Sequence, residues 1–198
     1  MKPGFIGLIF LTGVNCCVSE SVSKEELSTY VTNDNNGLVK TAEKNNVDIH
    51  LVYRPKELVL LQEAEPGTDE WIRAMKNLDS LDYFVLQISK NGHEVENTWV
   101  HDDRQFLHAV KYLSDGITNE IEMEIGNNSI LPEQTVFSQT FGTAGRTSVL
   151  IVFKSYLEKQ VGTFKVVWKD SALGVGRVEF TFQTSDIRKV PKLKTANI

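Results

Sequence analysis

The sequence predicts an α+β fold in which an antiparallel β-sheet or sandwich is combined with about three short helices. Three observations support this class. Apolar and polar residues alternate cleanly along several segments, the connections between segments are short, and helix-capping signals occur at three places. No internal repeat or low-complexity linker divides the 198 residues. We therefore expect a single domain over residues 17–198, with a short N-terminal tether and a basic C-terminal tail.

Three segments carry the signals of short helices. Ser23 and Glu26 have the spacing of a capping box, and an apolar stripe follows them. Thr68 and Asp102 are each placed to cap a further helix, and Gln105 is placed to reach back toward Asp102. We therefore expect helices after Ser23, Thr68 and Asp102.

Strands are expected where apolar residues alternate with polar ones or run together, about eight in all. They include residues 47–53, 58–61, 83–89, 120–125, 147–153, 164–168 and 178–182. Asn91 and Gly92 predict a tight hairpin whose return strand passes through Val95, Asn97 and Trp99. The glutamates at 120, 122 and 124 are expected on a solvated sheet face.

Composition excludes several classes of protein. The chain has 21 Lys and Arg against 26 Asp and Glu, and the net charge of −5 argues against nucleic-acid binding. A hydrophobic content of 41% is too high for a disordered chain. Two cysteines are too few for a disulfide-dense scaffold or a four-thiolate zinc site. No cofactor is predicted.

Residues 1–16 have the layout of a secretory signal peptide. Lys2 precedes a short apolar run at residues 5–11, and no other charge occurs before Glu20. The run is much shorter than the ~20 residues of a membrane-spanning helix. The alternative is that this segment forms a buried first strand or helix of the domain.

The stretch from Leu11 to Cys17 resembles the processing site of bacterial prolipoproteins. In that family the signal peptide is cut before a cysteine that is then lipid-modified. Gly13 and Asn15 stand three residues and one residue before Cys16, where the family prefers Leu and a small residue, so lipidation at either Cys16 or Cys17 is open. The resemblance implies a lipid-anchored protein of the cell envelope. The lack of Asp after either cysteine favours the outer membrane, with secretion after simple cleavage as the alternative.

No catalytic signature occurs in the sequence. The densest polar cluster contains His101, Asp102, Asp103 and His108, which are residue types that bind metals. However, the two histidines would lie ~10 Å apart along a helix. A helix cap with a solvated histidine is therefore the simpler interpretation, and His101 and Asp103 are weak metal candidates.

Residues 32–37 followed by Glu43 approximate the pattern of a calcium-binding loop. Oxygen ligands such as Asp34, a glycine and a later glutamate are what Ca²⁺ coordination requires. Thr32 stands where the first aspartate is expected, so an Asn- and Gly-rich turn is the simpler interpretation. Asp34 and Glu43 are the corresponding weak candidates for metal ligands.

Two groups of basic residues are further candidates. Arg146 and Arg177 each follow glycines and could bind a phosphate or carboxylate if they lie at the same end of the sheet. The alternative is that both glycine-containing segments are turns that lead into strands. The basic tail, formed by Arg188, Lys189, Lys192 and Lys194, either contacts anionic headgroups or is a solvated terminus.

The sequence therefore predicts a lipid-anchored, noncatalytic envelope protein. Its partners would be the membrane, through the anchor, and an envelope protein, glycan or peptide bound through a sheet face or edge. The alternative is an envelope hydrolase or metal-dependent enzyme that uses residues 101–103.

Overall fold

The computed structural model describes residues 21–157 and 160–195, and it confirms an α+β fold built mainly from antiparallel sheets. The helices are α1 (Lys24–Thr32), α2 (Lys56–Leu60), α3 (Asp69–Leu78), α4 (Asp103–Ser114) and α5 (Thr184–Arg188). The first six strands are β1 (Ser21–Val22), β2 (Val39–Lys44), β3 (Val47–Tyr53), β4 (Leu81–Lys90), β5 (His93–Glu94) and β6 (Ile121–Ile125). The other six are β7 (Asn128–Ile130), β8 (Gln134–Ser138), β9 (Thr147–Lys154), β10 (Thr163–Lys169), β11 (Arg177–Gln183) and β12 (Lys192–Leu193).

The strands form two antiparallel sheets and one short parallel pair. The first sheet has the order β2-β3-β4-β9-β8, with β5 paired to β4. The second sheet has the order β11-β10-β6-β7. The parallel pair joins β1 to β12, close to the two ends of the described chain.

The main core lies between the two sheets. Alternate residues of each strand point inward and are buried, as period-2 patterning requires. Phe84 of β4 is fully buried and makes edge contacts with Phe164 and Phe182 of the second sheet, at centroid distances of 6.2 and 5.5 Å. Aromatic pairs of this kind contribute about 0.5–1.5 kcal/mol beyond the burial of their area.

A second apolar cluster lies between the helices and the outer face of the first sheet. Leu27 and Val31 of α1 pack there with Leu58 of α2 and Trp71 of α3. Leu193 of β12 joins the same cluster and is 8% exposed. The C-terminal strand is therefore part of the packed domain.

The three predicted helices begin where their caps stand in the sequence. The Glu26 amide donates to Ser23 Oγ at 3.2 Å, and the Ser23 amide donates to the Glu26 carboxylate at 2.8 Å. Thr68 caps α3 by a single bond, because its Oγ1 accepts from the Trp71 amide at 3.2 Å. Asp102 caps α4 and also accepts a side-chain hydrogen bond from Gln105. These bonds satisfy amides that have no partner within the helix.

Residues 58–61 were expected to form a strand, and this expectation is wrong. They belong to α2 and the turn after it, and α2 begins directly after Pro55. Leu58 and Leu60 are both buried against the helical layer. A short apolar run fits a buried helical turn as well as a strand, so its periodicity does not distinguish the two.

The hairpin after β4 is confirmed, but its return strand is shorter than expected. Asn91 and Gly92 both have positive φ, as a tight hairpin turn requires. β5 pairs with β4 through only two residues, and residues 95–99 form a 3₁₀ helix. The Val95 amide donates to Thr147 Oγ1 at 2.8 Å, so the chain leaves the sheet at this residue.

The fold has two opposite ends, which are separated by the length of β4, roughly 33 Å. We call one the terminal end. It contains β1, β12 and α5, next to the first residues of β4 and the last residues of β9. We call the other the loop end. It contains the turn at Asn45 and Asn46, the Asn91–Gly92 turn and residues 139–146 and 170–176.

Candidate functional site at the loop end

Strained backbone is concentrated at the loop end. Asn45, Asn46, Asn91 and Phe141 are the non-glycine residues with positive φ in the described part of the chain, and all four lie there. Asparagine tolerates this conformation because its short side chain can bond locally, whereas a bulky aromatic residue does not. Phe141, at φ 52°, is therefore the outlier that needs a physical explanation.

The buried carboxylate of Glu94 holds the segment that carries Phe141. Glu94 is 1% exposed and accepts hydrogen bonds from the amides of Gly142 (2.8 Å) and Ala144 (3.0 Å). Thr140 Oγ1 and Asn97 Nδ2 also donate to it. Burial opposes the ionisation of Glu94, but these bonds together outweigh burial and hold its pKa below the ordinary value. A charged group thus fixes the backbone after Phe141 and binds the side chain of Thr140 before it.

Glu96 lies two residues further on and has the opposite electrostatic behaviour. Burial raises the pKa of its carboxyl group, and the hydrogen bond from Thr147 only partly offsets this effect. Among the described residues, Glu96 Oε1 has no hydrogen-bond partner. The surroundings of Glu94 therefore stabilise its anion, whereas those of Glu96 raise the pKa at which its carboxyl group ionises.

Phe141 projects from this fixed segment into solvent. Its side chain is 80% exposed, and Gly142, at φ 81°, follows it. A rigid, exposed aromatic ring loses little conformational freedom when it binds, which is why aromatic residues are frequent binding hot spots. The arrangement can therefore bind a surface.

A second carboxylate orders the neighbouring segment, residues 170–176. Asp170 accepts hydrogen bonds from four amides, at 2.7 Å from Val175, 2.9 Å from Leu173, 3.1 Å from Ala172 and 3.4 Å from Gly176. Leu173 and Val175 are buried in the main core. This segment closes the core and supports the loop end.

Arg146 and Arg177 lie at the same end of the sandwich but not in one site. Arg177 is on the outer face of the second sheet, where it pairs with Glu179 (2.9 Å) and Glu124 (3.4 Å). Arg146 lies near His50, on the outer face of the first sheet, and burial followed by the Arg146 charge lowers the His50 pKa. The two arginines therefore have different neighbours, His50 in the first sheet for Arg146 and the glutamates of the second sheet for Arg177.

The histidines and carboxylates at residues 101–108 lie on the surface. His101, Asp103 and His108 are exposed, and Asp102 is engaged as the cap of α4. His108 lines a cavity of about 210 Å³ together with Trp99 and Arg104. Within residues 21–157 and 160–195, no three His, Cys, Asp or Glu side chains are grouped so that they could hold a metal ion.

Asp34 and Glu43 are on different elements. Asp34 begins a 3₁₀ turn capped by Asn33, whose side chain accepts from the Asn35 amide at 3.0 Å. Glu43 lies on β2, which runs away from the turn as an extended strand. Five residues of strand span ~16 Å, which is far longer than a calcium–oxygen distance.

The signal segment and both lipidation candidates, Cys16 and Cys17, lie outside the described residues. In the part of the chain that the structure describes, no helix is long and apolar enough to cross a membrane.

The glutamates at 120, 122 and 124, which were expected on a solvated sheet face, have two different kinds of partner. Glu122 and Glu124 pair with Lys169 and Arg177 on the outer face of the second sheet. Glu120 accepts from Tyr112 Oη at 2.6 Å and from the Ser171 amide at 3.0 Å.

No motif in the sequence points to Glu94, Glu96 or Phe141. Both glutamates stand in a segment whose alternation resembles a strand, which hides the fact that they are buried. The only sequence signal for Phe141 is an aromatic residue directly before a glycine within a polar stretch.

The comparisons of this chain with protein-family models, curated proteins and solved structures give no match.

Proposed function

We propose that this protein is a lipid-anchored, noncatalytic protein of the cell envelope that binds an envelope protein or glycan through its loop end. The observation that carries the binding role is Phe141, an exposed aromatic ring in a strained conformation that a buried carboxylate maintains. Strain of this kind persists only where the surrounding structure enforces it, and it is typical of functional sites. The anchor would be an acyl group on Cys16 or Cys17.

The point at which the chain enters the described domain supports an anchor at one end and a binding site at the other. β1 is the first described strand, and it lies at the terminal end, opposite Phe141. An anchor that precedes β1 would therefore leave the loop end at the far side of the domain from the bilayer. Two or three acyl chains, at about 0.8 kcal/mol for each buried CH₂, would hold the domain at a membrane durably.

The binding role can be tested by photo-crosslinking in intact cells. A photoreactive phenylalanine analogue at position 141 is expected to form a discrete adduct with one partner. The matched control is the same analogue at position 161, because Val161 is 86% exposed but lies near the terminal end. The captured partner, once purified, should bind the wild-type chain and lose at least tenfold in affinity for Phe141→Asn. Equal adducts at both positions, or equal affinity of both proteins, would contradict the proposal.

The anchor requires a separate test. Intact mass of the membrane-derived protein is expected to show an acyl increment at the N-terminus, and Cys16→Ala or Cys17→Ala should remove it. The variant that moves the protein from the membrane to the soluble fraction identifies the modified cysteine. An unmodified, released protein would contradict the anchor but not the binding role of the loop end.

A further inference from the structure

The two ends of the described chain lie side by side at the terminal end. Ser21 is opposite Lys192 and Val22 is opposite Leu193, and the Lys194 amide donates to the Val22 carbonyl at 2.8 Å. Leu193 points into the helical cluster, so Lys192 and Lys194 lie on the other face of this strand and are exposed. Both lysines are thus held beside the residues at which the chain enters the domain.

The sequence limits how far this entry point can be from a lipid anchor. Ser21 follows Cys17 by four residues and Cys16 by five, so at most about 14–18 Å of extended chain separates them. The inference rests on the proposed function to this extent, because it takes one of these cysteines to be acylated. An acyl group there would keep β12 close to the lipid headgroups.

The exposed charges on β12 and at the end of α5 are mostly positive. These elements carry four basic residues, Arg188, Lys189, Lys192 and Lys194, and one carboxylate, Asp186. Asp186 pairs with Lys189 at 3.4 Å. Within the described residues, neither Lys192 nor Lys194 forms an ion pair. The chain as a whole has a net charge of −5, so this local excess of positive charge is opposite in sign to the rest of the protein.

Neighbouring elements contribute charges of both signs. Glu25 and Glu26 lie in the first turn of α1, which follows β1 directly. Lys56 and Asp79 pair with each other at the rim of a cavity of about 230 Å³, where Glu57 adds one more carboxylate. Electrostatic attraction to a surface decays over a Debye length of ~8 Å in physiological salt. Only charges within about that distance of a bilayer would be attracted or repelled, and Lys192 and Lys194 lie on or next to the strand that pairs with the chain entry.

We propose that the exposed face of β12, together with Arg188 and Lys189, is a membrane-contacting surface that binds anionic phospholipid headgroups. This contact would fix the orientation of the anchored domain. The terminal end would rest on the bilayer, and the loop end with Phe141 would point away from it. A lipid anchor alone would leave the domain free to rotate about its tether.

Lysine footprinting of the full chain tests this surface. The protein, purified with its anchor, is reconstituted into vesicles of phosphatidylcholine with or without phosphatidylglycerol, and amine acetylation is followed by mass spectrometry. The acetylation rates of Lys192 and Lys194 should fall about fivefold when phosphatidylglycerol is present, as expected for ~1 kcal/mol per basic residue. Lys111 of α4 is exposed and remote from β12, and its rate should not change. Protection should disappear in ~1 M salt, where the Debye length is ~3 Å.

A charge variant distinguishes the contribution of this surface from the contribution of the lipid anchor. Lys192→Gln combined with Lys194→Gln should abolish the phosphatidylglycerol-dependent protection of Lys189, whereas Lys111→Gln should preserve it. Equal acetylation rates in both vesicle types, in a protein whose mass includes the acyl group, would overturn the membrane-contacting surface and leave the anchor standing. Protection in a protein that lacks the acyl mass would support the surface and contradict the anchor.

Discussion

At the scale of single residues, Glu94 holds the backbone segment that carries Phe141. The carboxylate is almost completely removed from solvent, yet the donors around it compensate and keep it ionised. Its bonds to the amides of Gly142 and Ala144 fix the backbone on the C-terminal side of Phe141. The strain at Phe141 is thereby maintained by a carboxylate whose ionised form is favoured on balance by its surroundings.

Phe141→Asn should stabilise the protein while it removes the binding ring. Asparagine adopts positive φ more readily than phenylalanine, and the ring that is lost is 80% exposed. We expect the free energy of unfolding to rise by about 1 kcal/mol in urea denaturation. Val161→Asn is the control, because Val161 is exposed without positive φ, and it should change stability by less than about 0.5 kcal/mol. A clear loss of stability in Phe141→Asn would show that the ring packs on the domain.

Glu94→Gln should lower the stability of the protein at neutral pH by about 2 kcal/mol, because an amide group would face backbone donors that now bind a carboxylate. The folded-state pKa of Glu94 lies below its ordinary value of 4.5. Its contribution is therefore complete above the unfolded-state pKa and is lost as the pH falls through the folded-state pKa. The loss of stability in Glu94→Gln should accordingly shrink in acid, as measured by urea denaturation across pH.

Glu96→Gln is the matched comparison, and its effect on the free energy of unfolding at neutral pH should be opposite in sign to that of Glu94→Gln. The folded-state pKa of Glu96 lies above its ordinary value of 4.5, so the wild-type protein loses stability as the pH rises through this range. A neutral glutamine avoids that loss, and the variant should be at least as stable as wild type at pH 7. Glu133→Gln, at an exposed position, should change nothing. Identical pH profiles for all three variants would contradict the roles assigned to the two buried carboxylates.

At the scale of elements, the turn before β2 and helix α5 fit closely together. Gly37 has φ 73°, and a Cβ atom at this position would collide with the side chain of Asp186. The glycine therefore satisfies both a backbone and a packing requirement. The turn at residues 33–37 is joined to the C-terminal part of the fold by this contact.

Gly37→Ala should destabilise the protein by about 2 kcal/mol, because it combines positive-φ strain with steric overlap. Gly126→Ala is a close control. Gly126 also has positive φ (58°), but nothing lies within 4 Å of the added Cβ atom. It should cost only about 1 kcal/mol in the same thermal or urea unfolding measurement. Equal losses in both variants would show that Asp186 moves aside without cost.

The elements that the sequence predicted correctly are those with local signals. Ser23, Thr68 and Asp102 each cap a helix through bonds to residues three positions away, so the pattern is readable in the chain itself. Residues 58–61 and 95–99 were assigned wrongly because their conformation depends on distant partners. Leu58 packs on helices far along the chain, and the Val95 amide bonds to Thr147, 52 residues away.

At the scale of the whole molecule, the parallel pairing of β1 and β12 makes both ends of the described chain part of the packed domain. Leu193 lies in the same cluster as Leu27 and Trp71. The C-terminal segment is thus more than a solvated tail, although its lysines are exposed. This pairing also places the lysines of β12 beside the point at which the chain enters the domain.

Leu193→Ala should therefore cost about 2–3 kcal/mol of unfolding free energy, in line with the loss of a buried leucine. Leu131→Ala is the control, since Leu131 is 56% exposed and should lose less than about 0.5 kcal/mol. Urea denaturation followed by tryptophan fluorescence measures both. A negligible effect of Leu193→Ala would mean that β12 contributes little to the stability of the domain.

The sequence by itself determined the α+β class, the three capped helices, the hairpin at Asn91 and most of the strands. These features depend on residues that are close in the chain or on a period of two. It also supplies the expectation of a lipid anchor, since that expectation rests on a linear motif at Cys16 and Cys17.

Only the tertiary structure decided which polar residues meet. It placed Arg146 near His50 of the first sheet and Arg177 beside Glu124 of the second, and it placed Asp34 and Glu43 on different elements. It brought Glu94 to the amides of residues 142 and 144, nearly fifty positions away, and it set Lys192 beside Ser21. The physical reason is that burial and hydrogen-bond partners at such separations follow from strand register and sheet packing, which no local pattern encodes.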